Sequence, residues 1–548
     1  MAWVNRKSNS EAWRELKVLG KMIKKDPLSP VASYFGTYVL NGLGLFVEGF
    51  TLFSVGNLVP LFSAVWPQCW KKHEVCEEGW IHAVDYLMII GIVVGQIMVG
   101  IEGDWIGRRF GMVQNALIMT LGSVMLTAMW GLDLNGWVIC YAWSLFIYGL
   151  GVGGEYPMTS TRAMEGTDQA PTSGVEDRMH RGRSVSLAFL MQGWGQIINQ
   201  LVLILLLLAF SGPEPPYGAF AAQWVFRLQF GFIAVSTLYL AYLRYYKMQY
   251  PEDNVLRDSK ERLNISGYDV KSLKLSMGHY WHRVLGTAGT WFCNDFFFYG
   301  NKIFAGVFIG VITGGKSTLM VSWLYNLLNI GVSLVGYYMA AILMDHKMYG
   351  RKWMQANGFA ADFILFIIAA ILYNDLTEEG AGIQWFQFIY FFSSFWNQFG
   401  PNSTTFLLAA EVFPASIRGT AHGVSAAVGK LGALAPAILY HYIDNHTKFW
   451  VVTWFGLAGW IMTLVLVPDT TGLDLREQER YWQYVMEGRR KDYHGVAVHP
   501  RHLSMWEVWV ERRHKAYDPE LDRQQRMEDL KNARIADKCE PTFMDNGL

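Results

Sequence analysis

Apolar residues in this chain neither alternate nor recur at helical spacing around a polar face; they run on in long blocks broken by short polar stretches. Twelve such blocks stand at about 33–60, 82–101, 110–131, 137–160, 184–210, 223–243, 284–310, 317–344, 353–373, 385–409, 420–440 and 448–467. Each is close to or longer than the roughly 20 residues a helix needs to cross a bilayer. The pattern predicts an all-α integral membrane protein with twelve transmembrane helices. Three polar stretches divide it. The expected organisation is an N-terminal segment 1–32, a six-helix bundle 33–245, a linker 246–283, a second six-helix bundle 284–467 and a tail 468–548. The first apolar block follows some thirty polar, Lys-rich residues, so it reads as a span rather than as a secretory signal.

Composition supports the membrane class, because 52% hydrophobic and only 17% charged residues are too apolar a mix for an ordinary soluble chain of 548 residues. The formal net charge of zero hides a strong asymmetry. Arg6, Lys7, Arg14, Lys17, Lys21, Lys24 and Lys25 precede the first span. Arg108, Arg109, Arg178, Arg181, Arg183, Lys347, Arg351, Lys352 and Arg418 fall in even-numbered connections, whereas the odd ones hold little beyond Lys71, Lys72, Lys316 and Lys448. Basic loops favour the cytoplasm, so both termini and the linker are expected there, with the plasma membrane the expected site. Cys69 and Cys76 share one non-cytoplasmic loop, which leaves open a disulfide or two free thiols. The sequence offers no nucleophile, metal-ligand or nucleotide-binding constellation. A non-enzymatic, cofactor-free and metal-free protein is expected, monomeric, with no nucleic-acid partner.

The two halves repeat one another. GDWIGRRFG after the second block answers DHKMYGRKW after the eighth, with Gly107 and Gly350 offset by 243, and Glu165 answers Glu411 at an offset of 246. Each glutamate precedes an Arg-Gly, Arg181-Gly182 and Arg418-Gly419. A duplicated six-span unit describes these offsets.

GIEGDWIGRR at 100–109 resembles the signature of the major facilitator superfamily. The resemblance implies a cytosolic latch in which Asp104, Arg108 and Arg109 bond helix ends and Glu165, with Glu411 and Arg418 as counterparts. GLGVGGEYPMTS at 149–160, TWFCNDFFFYG at 290–300 and GPNSTTFLLAAEVFPASIRGTAHGVSAAVGKLGA at 400–433 are similar to the fungal and plant phosphate:proton symporters of that superfamily. That likeness covers nearly all of 33–470. It implies a substrate site of Tyr156, Gln192, Trp291, Asp295, Tyr299 and Asn402 with Lys430 nearby, and proton handling by Glu48, Glu155 and Asp295.

The residues argue the same way without the resemblance. Asp295 lies one helical turn from both Trp291 and Tyr299, so an indole N–H and a phenol flank a carboxylate on one face. Tyr156 and Asn402 are offset by 246, and Glu48 and Trp291 by 243, so site residues hold equivalent places in the two halves. A carboxylate at mid-bilayer costs about 2.5–3.5 kcal/mol by insertion scales, which favours an aqueous cavity around it. Beside a bound anion a neutral carboxyl donates a hydrogen bond where a carboxylate repels, and this couples proton to anion. The chain departs from the symporters at VEGFTLF, where Glu48 and Thr51 replace two aspartates, and at Glu155, which replaces a third. The expected activity is therefore proton-coupled symport of an anion by alternating access, with inorganic phosphate or a phosphate ester as substrate. A glycerophosphodiester or other organic anion, a neutral-solute facilitator and a membrane nutrient sensor are the alternatives.

Overall fold

The computed structural model describes residues 39–168, 181–250, 252–303, 318–346, 349–377, 381–440 and 442–528, with isolated positions before them. Most of the expected N-terminal segment, the start of the first span, Arg178, Lys316, Lys347 and the end of the seventh span lie outside the described residues. Among the described residues stand twelve long helices: α1 (Leu40–Val65), α2 (Glu78–Trp105), α3 (Arg108–Ala128), α4 (Leu134–Asp168), α5 (Arg181–Phe210), α6 (Ala219–Tyr246), α7 (Trp281–Ile303), α8 (Leu319–Leu343), α9 (Gly350–Ile371), α10 (Ala381–Asn397), α11 (Arg418–Leu439) and α12 (Asn445–Leu466). Ten of these positions are long and apolar enough to span a bilayer. The other two are α7, diluted by Asn294, Asp295 and Asn301, and α10, which stops after 17 residues. No strand occurs among the described residues.

The halves are pseudo-symmetric. In the first, α2 packs on α4, α1 on α5 and α3 on α6; in the second, α8 packs on α10, α7 on α11 and α9 on α12. Between halves the contacts are reciprocal, α2 against α11 and α5 against α8. Lipid removes the hydrophobic drive for helices to pair, so close backbone approach through small residues takes its place. At the α2–α4 crossing, a Cβ built on Gly95 would lie 2.1 Å from the Leu150 carbonyl oxygen, and one on Gly153 would lie 2.2 Å from that of Ile92. Across the halves, a Cβ on Gly423 of α11 would lie 2.2 Å from the Gln96 carbonyl oxygen of α2.

A polar-ended layer covers one end of the bundle. Helices Glu252–Arg262 and Val270–His279 of the linker and Leu475–Met486 of the tail meet there. They share a core in which Tyr280, Val412, Phe413, Trp482 and Tyr493 are buried. The tail is thus folded onto the bundle as far as residue 528. Glu507 fixes it, bonding Arg283 at 2.8 Å and Arg513 at 3.0 Å. Burial opposes charge on this carboxylate, but Arg283, His282 and Arg513 outweigh it and hold Glu507 well below the usual range. At the opposite end Cys69 and Cys76 are joined by a disulfide, which resolves the alternative left open above.

Gly153→Ala forces a methyl into the Ile92 backbone, and overpacking of this kind costs about 1–3 kcal/mol. The expected outcome is a lower thermal-unfolding midpoint of the purified protein in detergent; an unchanged midpoint contradicts glycine-mediated packing of α2 on α4.

Candidate functional site

The break after α10 is where the site begins. The chain passes through a π-helical turn at Gln398–Asn402, in which Gly400 leaves helical geometry (φ −119°, ψ −107°), and then resumes as helix Ser403–Glu411. Pro401 explains it: a proline inside a helix removes one N–H and collides with the preceding turn. Bulges of this sort cluster at functional sites because they re-aim side chains. Here Asn402 is turned inward, where its amide donates to Gln398 Oε1 at 2.6 Å and to the Tyr337 hydroxyl at 3.3 Å.

Lys430 of α11 is the central cation, 2% exposed. Its Nζ donates to Asp295 Oδ2 at 3.0 Å and to the Tyr299 hydroxyl at 2.7 Å, and stands 4.9 Å from the Tyr156 ring centroid. Asp295 Oδ1 accepts from Asn294, which also donates to Asn402 Oδ1 at 3.1 Å. From Asn402 the polar chain passes through Tyr337, whose hydroxyl donates to Gln192 Oε1 at 2.7 Å and so crosses from one half to the other. Gln192 in turn donates to Glu48 Oε2 at 2.8 Å, and the Tyr156 hydroxyl donates to Glu48 Oε1 at 2.8 Å. Tyr156, Gln192, Trp291, Asp295, Tyr299, Asn402 and Lys430, joined by Phe189 and Phe298, line one small enclosed pocket. All seven residues expected around the substrate therefore meet at the interface of the halves, with Glu48 hydrogen-bonded to two of them.

Glu155 does not join this cluster. It faces α6, where Arg244 donates to it twice, at 2.5 and 2.6 Å, and donates to the Met112 carbonyl at 2.8 Å. Arg244 was missed by sequence reasoning because it sits just past an apolar block and reads as a loop cation; only the fold brings it to Glu155. Asp362 of α9 was missed too. It is fully buried and reached by Asn397 Nδ2 at 3.5 Å, and Asn397 also donates to Asn294. Asn294 and Tyr337, which complete the polar chain, carried no signal in an aromatic- and amide-rich sequence.

The residues expected in the latch meet in two reciprocal clusters, with Arg109 excepted. Arg108 bonds Asp104 and reaches Glu165 at 3.5 Å, while Arg418 crosses from the other half to Glu165 at 2.5 Å. Reciprocally, Arg351 bonds Asp345 at 2.9 Å and Glu411 at 2.8 Å, while Arg181 crosses to Glu411 at 2.8 Å. Asp104 also accepts the Gly419 and Thr420 N–H groups at 3.0 and 2.5 Å, placing a carboxylate at the positive end of α11. Asp345 does the same for α5 through the Arg183 N–H at 2.8 Å. Arg109 takes no part: it is exposed and donates to the Tyr245 carbonyl at 3.3 Å. It follows Arg108 by one residue, so helical geometry turns it away from the seam. At the far side of the pocket, Asn326 of α8 donates to Asn57 and Gln200 of the first half, both at 2.9 Å. The pocket is thus closed at both ends, by ions on one side and by amides on the other.

A family model described as sugar (and other) transporter matches residues 38–248 and 256–482, most of the chain. The protein belongs to that transporter family. Among curated proteins it is similar to a putative inorganic phosphate transporter of Schizosaccharomyces pombe, 30% identical over 533 residues, covering 83% of this chain and 89% of the relative. A probable inorganic phosphate transporter of Arabidopsis thaliana is 27% identical, covering 80% and 92%. Among solved structures, the proton:xylose symporter XylE bound to 6-bromo-6-deoxy-D-glucose superposes with a TM-score of 0.66 at 18% identity, covering 82% of this chain and 99% of that one. The inward-open form of XylE from E. coli superposes at 0.56. These matches establish the transporter fold of the major facilitator superfamily expected from the motifs.

Breaking one partner of a buried ion pair costs about 3–5 kcal/mol, because the other charge is left uncompensated. Glu155→Gln and Arg244→Gln are each expected to lower thermal stability in detergent sharply, and the double change to recover part of the loss. Single variants as stable as the parent contradict the pairing of Glu155 with Arg244.

Proposed function

We propose that this transporter is a proton-coupled symporter of inorganic phosphate or a closely related phosphate ester, working by alternating access with its termini in the cytosol. The observation that carries the reading is the Lys430–Asp295 pair, enclosed at the interface of the halves. The relatives named as phosphate transporters point to the same substrate class.

The geometry suggests the order of events. With the pocket empty, Asp295 neutralises Lys430. An arriving phosphate takes the ammonium for itself and finds further donors in Tyr299, Tyr156 and the amides of Gln192 and Asn402. Asp295 is then left beside an anion, and taking up a proton turns repulsion into a hydrogen bond. Anion and proton thereby load together. Release reverses the exchange: as phosphate leaves, Lys430 attracts the carboxylate again and the proton departs. Glu48, held by Gln192 and Tyr156, is a second proton-carrying candidate on the opposite wall. Glu155 is paired with Arg244 outside this pocket. Opening toward the cytosol requires the crossed pairs Arg418–Glu165 and Arg181–Glu411 to part, so the latch governs turnover.

A neutral sugar is the second reading, favoured by the family description and by XylE. The charges argue against it, since amides and aromatic rings suffice for a neutral solute while Lys430 and Asp295 are costly to bury. Labelled phosphate uptake by proteoliposomes under an imposed pH gradient separates the two. Accumulation that collapses with a protonophore is expected; uptake of xylose but not phosphate, or phosphate uptake indifferent to the protonophore, contradicts the proposal.

A further inference from the structure

Asp362 of α9 is a buried carboxyl that the transport proposal leaves without a task. It lies in the middle of its span with none of its surface exposed. Among the described residues no charged side chain touches it from the helices packed on α9, and its one hydrogen-bond partner is Asn397. Ionisable side chains at this depth are costly and mark function. A line of amides runs from it to the pocket. Asn397 Nδ2 lies 3.5 Å from Asp362 Oδ2 and donates to Asn294 Oδ1 at 3.1 Å. Asn294 Nδ2 donates in turn to Asp295 Oδ1 at 3.0 Å and to Asn402 Oδ1 at 3.1 Å. Asn397 Oδ1 has no hydrogen-bond partner, so the two acceptors, Asn294 Oδ1 and Asp362 Oδ2, decide which way its amide points. Asp295, at the end of the line, also faces Lys430 of α11, Tyr299 of its own helix, and Glu48 and Tyr156 across the pocket.

We propose that Asp362 is a positioning residue: acting through Asn397 and Asn294, it keeps an N–H aimed at Asp295 and so sets how readily Asp295 takes its proton. A donor beside a carboxyl stabilises the ionised form, and an acceptor stabilises the neutral acid. With Asp362 in place, turning the Asn397 amide end for end sets its oxygen against the Asp362 oxygen. Without Asp362 that obstacle is gone, and Asn397 and Asn294 are free to turn together while keeping the bond between them. Asn294 then presents its oxygen to Asp295, which favours the protonated acid. Asp362 thereby keeps Asp295 ionised in the empty carrier, ready to pair with Lys430. The role of this line in transport rests on the reading of Asp295 as the coupling site.

The test titrates Asp295 directly. The full-length protein in nanodiscs, without phosphate, is followed by infrared difference spectroscopy, and the protonated-carboxyl band of Asp295 is identified by its loss in Asp295→Asn. Asp362→Leu is expected to move the midpoint of this band up by about one pH unit, a tenfold gain in proton affinity. Asp362→Asn keeps an acceptor oxygen for Asn397 and should leave the midpoint in place. In proteoliposomes the pH dependence of labelled phosphate uptake should shift in the same direction and by the same amount. A purely structural lesion lowers uptake at every pH and moves neither midpoint. Asn397→Leu cuts the line one link nearer the pocket, is expected to act as Asp362→Leu does, and reads the same proposal should that variant fail to fold. An Asp295 midpoint unmoved by Asp362→Leu, one moved as far by Asp362→Asn, or an Asp295 that takes no proton in any of these proteins overturns the positioning role. A midpoint that moves as expected in a protein whose phosphate uptake ignores protons supports the positioning role and overturns the transport reading instead.

Discussion

A single ammonium group, that of Lys430, sets the terms for the centre of this protein. It lies at the interface of two helical bundles with 2% of its surface exposed, and such a charge persists inside a membrane only with a counter-charge in contact. Asp295 supplies it at 3.0 Å. Under the proposed symport, that requirement makes the pair a chemical switch. Whatever anion displaces Asp295 from Lys430 obliges Asp295 to find another partner, and a proton is the smallest one. The break at Pro401 and the close approach of α7 and α11 follow as the means of holding the pair. A Cβ on Gly429 would lie 2.5 Å from the Trp291 ring, and one on Gly432 2.2 Å from the Phe292 carbonyl.

The two closures of the pocket differ in kind. On the latch side, four guanidinium groups and four carboxylates cross-link the halves in a reciprocal figure, each half sending one arginine to the other's glutamate. On the other side three neutral amides meet. Ion pairs shielded from water separate less readily than amide contacts. The folded tail adds a further contact on the ionic side, Glu479 to Arg418 at 3.2 Å.

Much of this was legible in the sequence, for physical reasons that can be named. Span count and repeat were readable because a bilayer demands long apolar runs and a duplicated unit leaves offsets of 243 to 246. Asp295 and Lys430 were readable because charges are rare in such runs and stand out, and the other pocket residues followed from the family resemblance. What the sequence concealed was pairing. Glu155 looked as free as Glu48 until α6 brought Arg244 beside it, and Arg109 looked equivalent to Arg108 until helical phase separated them. Arg181 and Arg351 were visible as topogenic cations and repeat markers but not as ion-pair partners of Glu411, and Asp362 lay unremarked within a span. The break at 398–402 fell inside a block expected as one helix at 385–409, although Pro401 was the signal for it. The tail read as a charged appendage, because the aromatic contacts of Tyr280, Trp482 and Tyr493 join segments 200 residues apart.

The central claim is that Asp295 exchanges Lys430 for a proton each time an anion is bound. Asp295→Asn tests it most directly, since it keeps the shape of the side chain and fixes it in a neutral, hydrogen-bonding state. Two assays are run on the same proteoliposomes: accumulation of labelled phosphate under a pH gradient, and exchange of labelled for unlabelled phosphate without one. The account predicts that exchange persists while accumulation against the gradient is lost, because the empty carrier can no longer discharge a proton and return. A variant that still concentrates phosphate several fold would contradict it and move the coupling proton to Glu48.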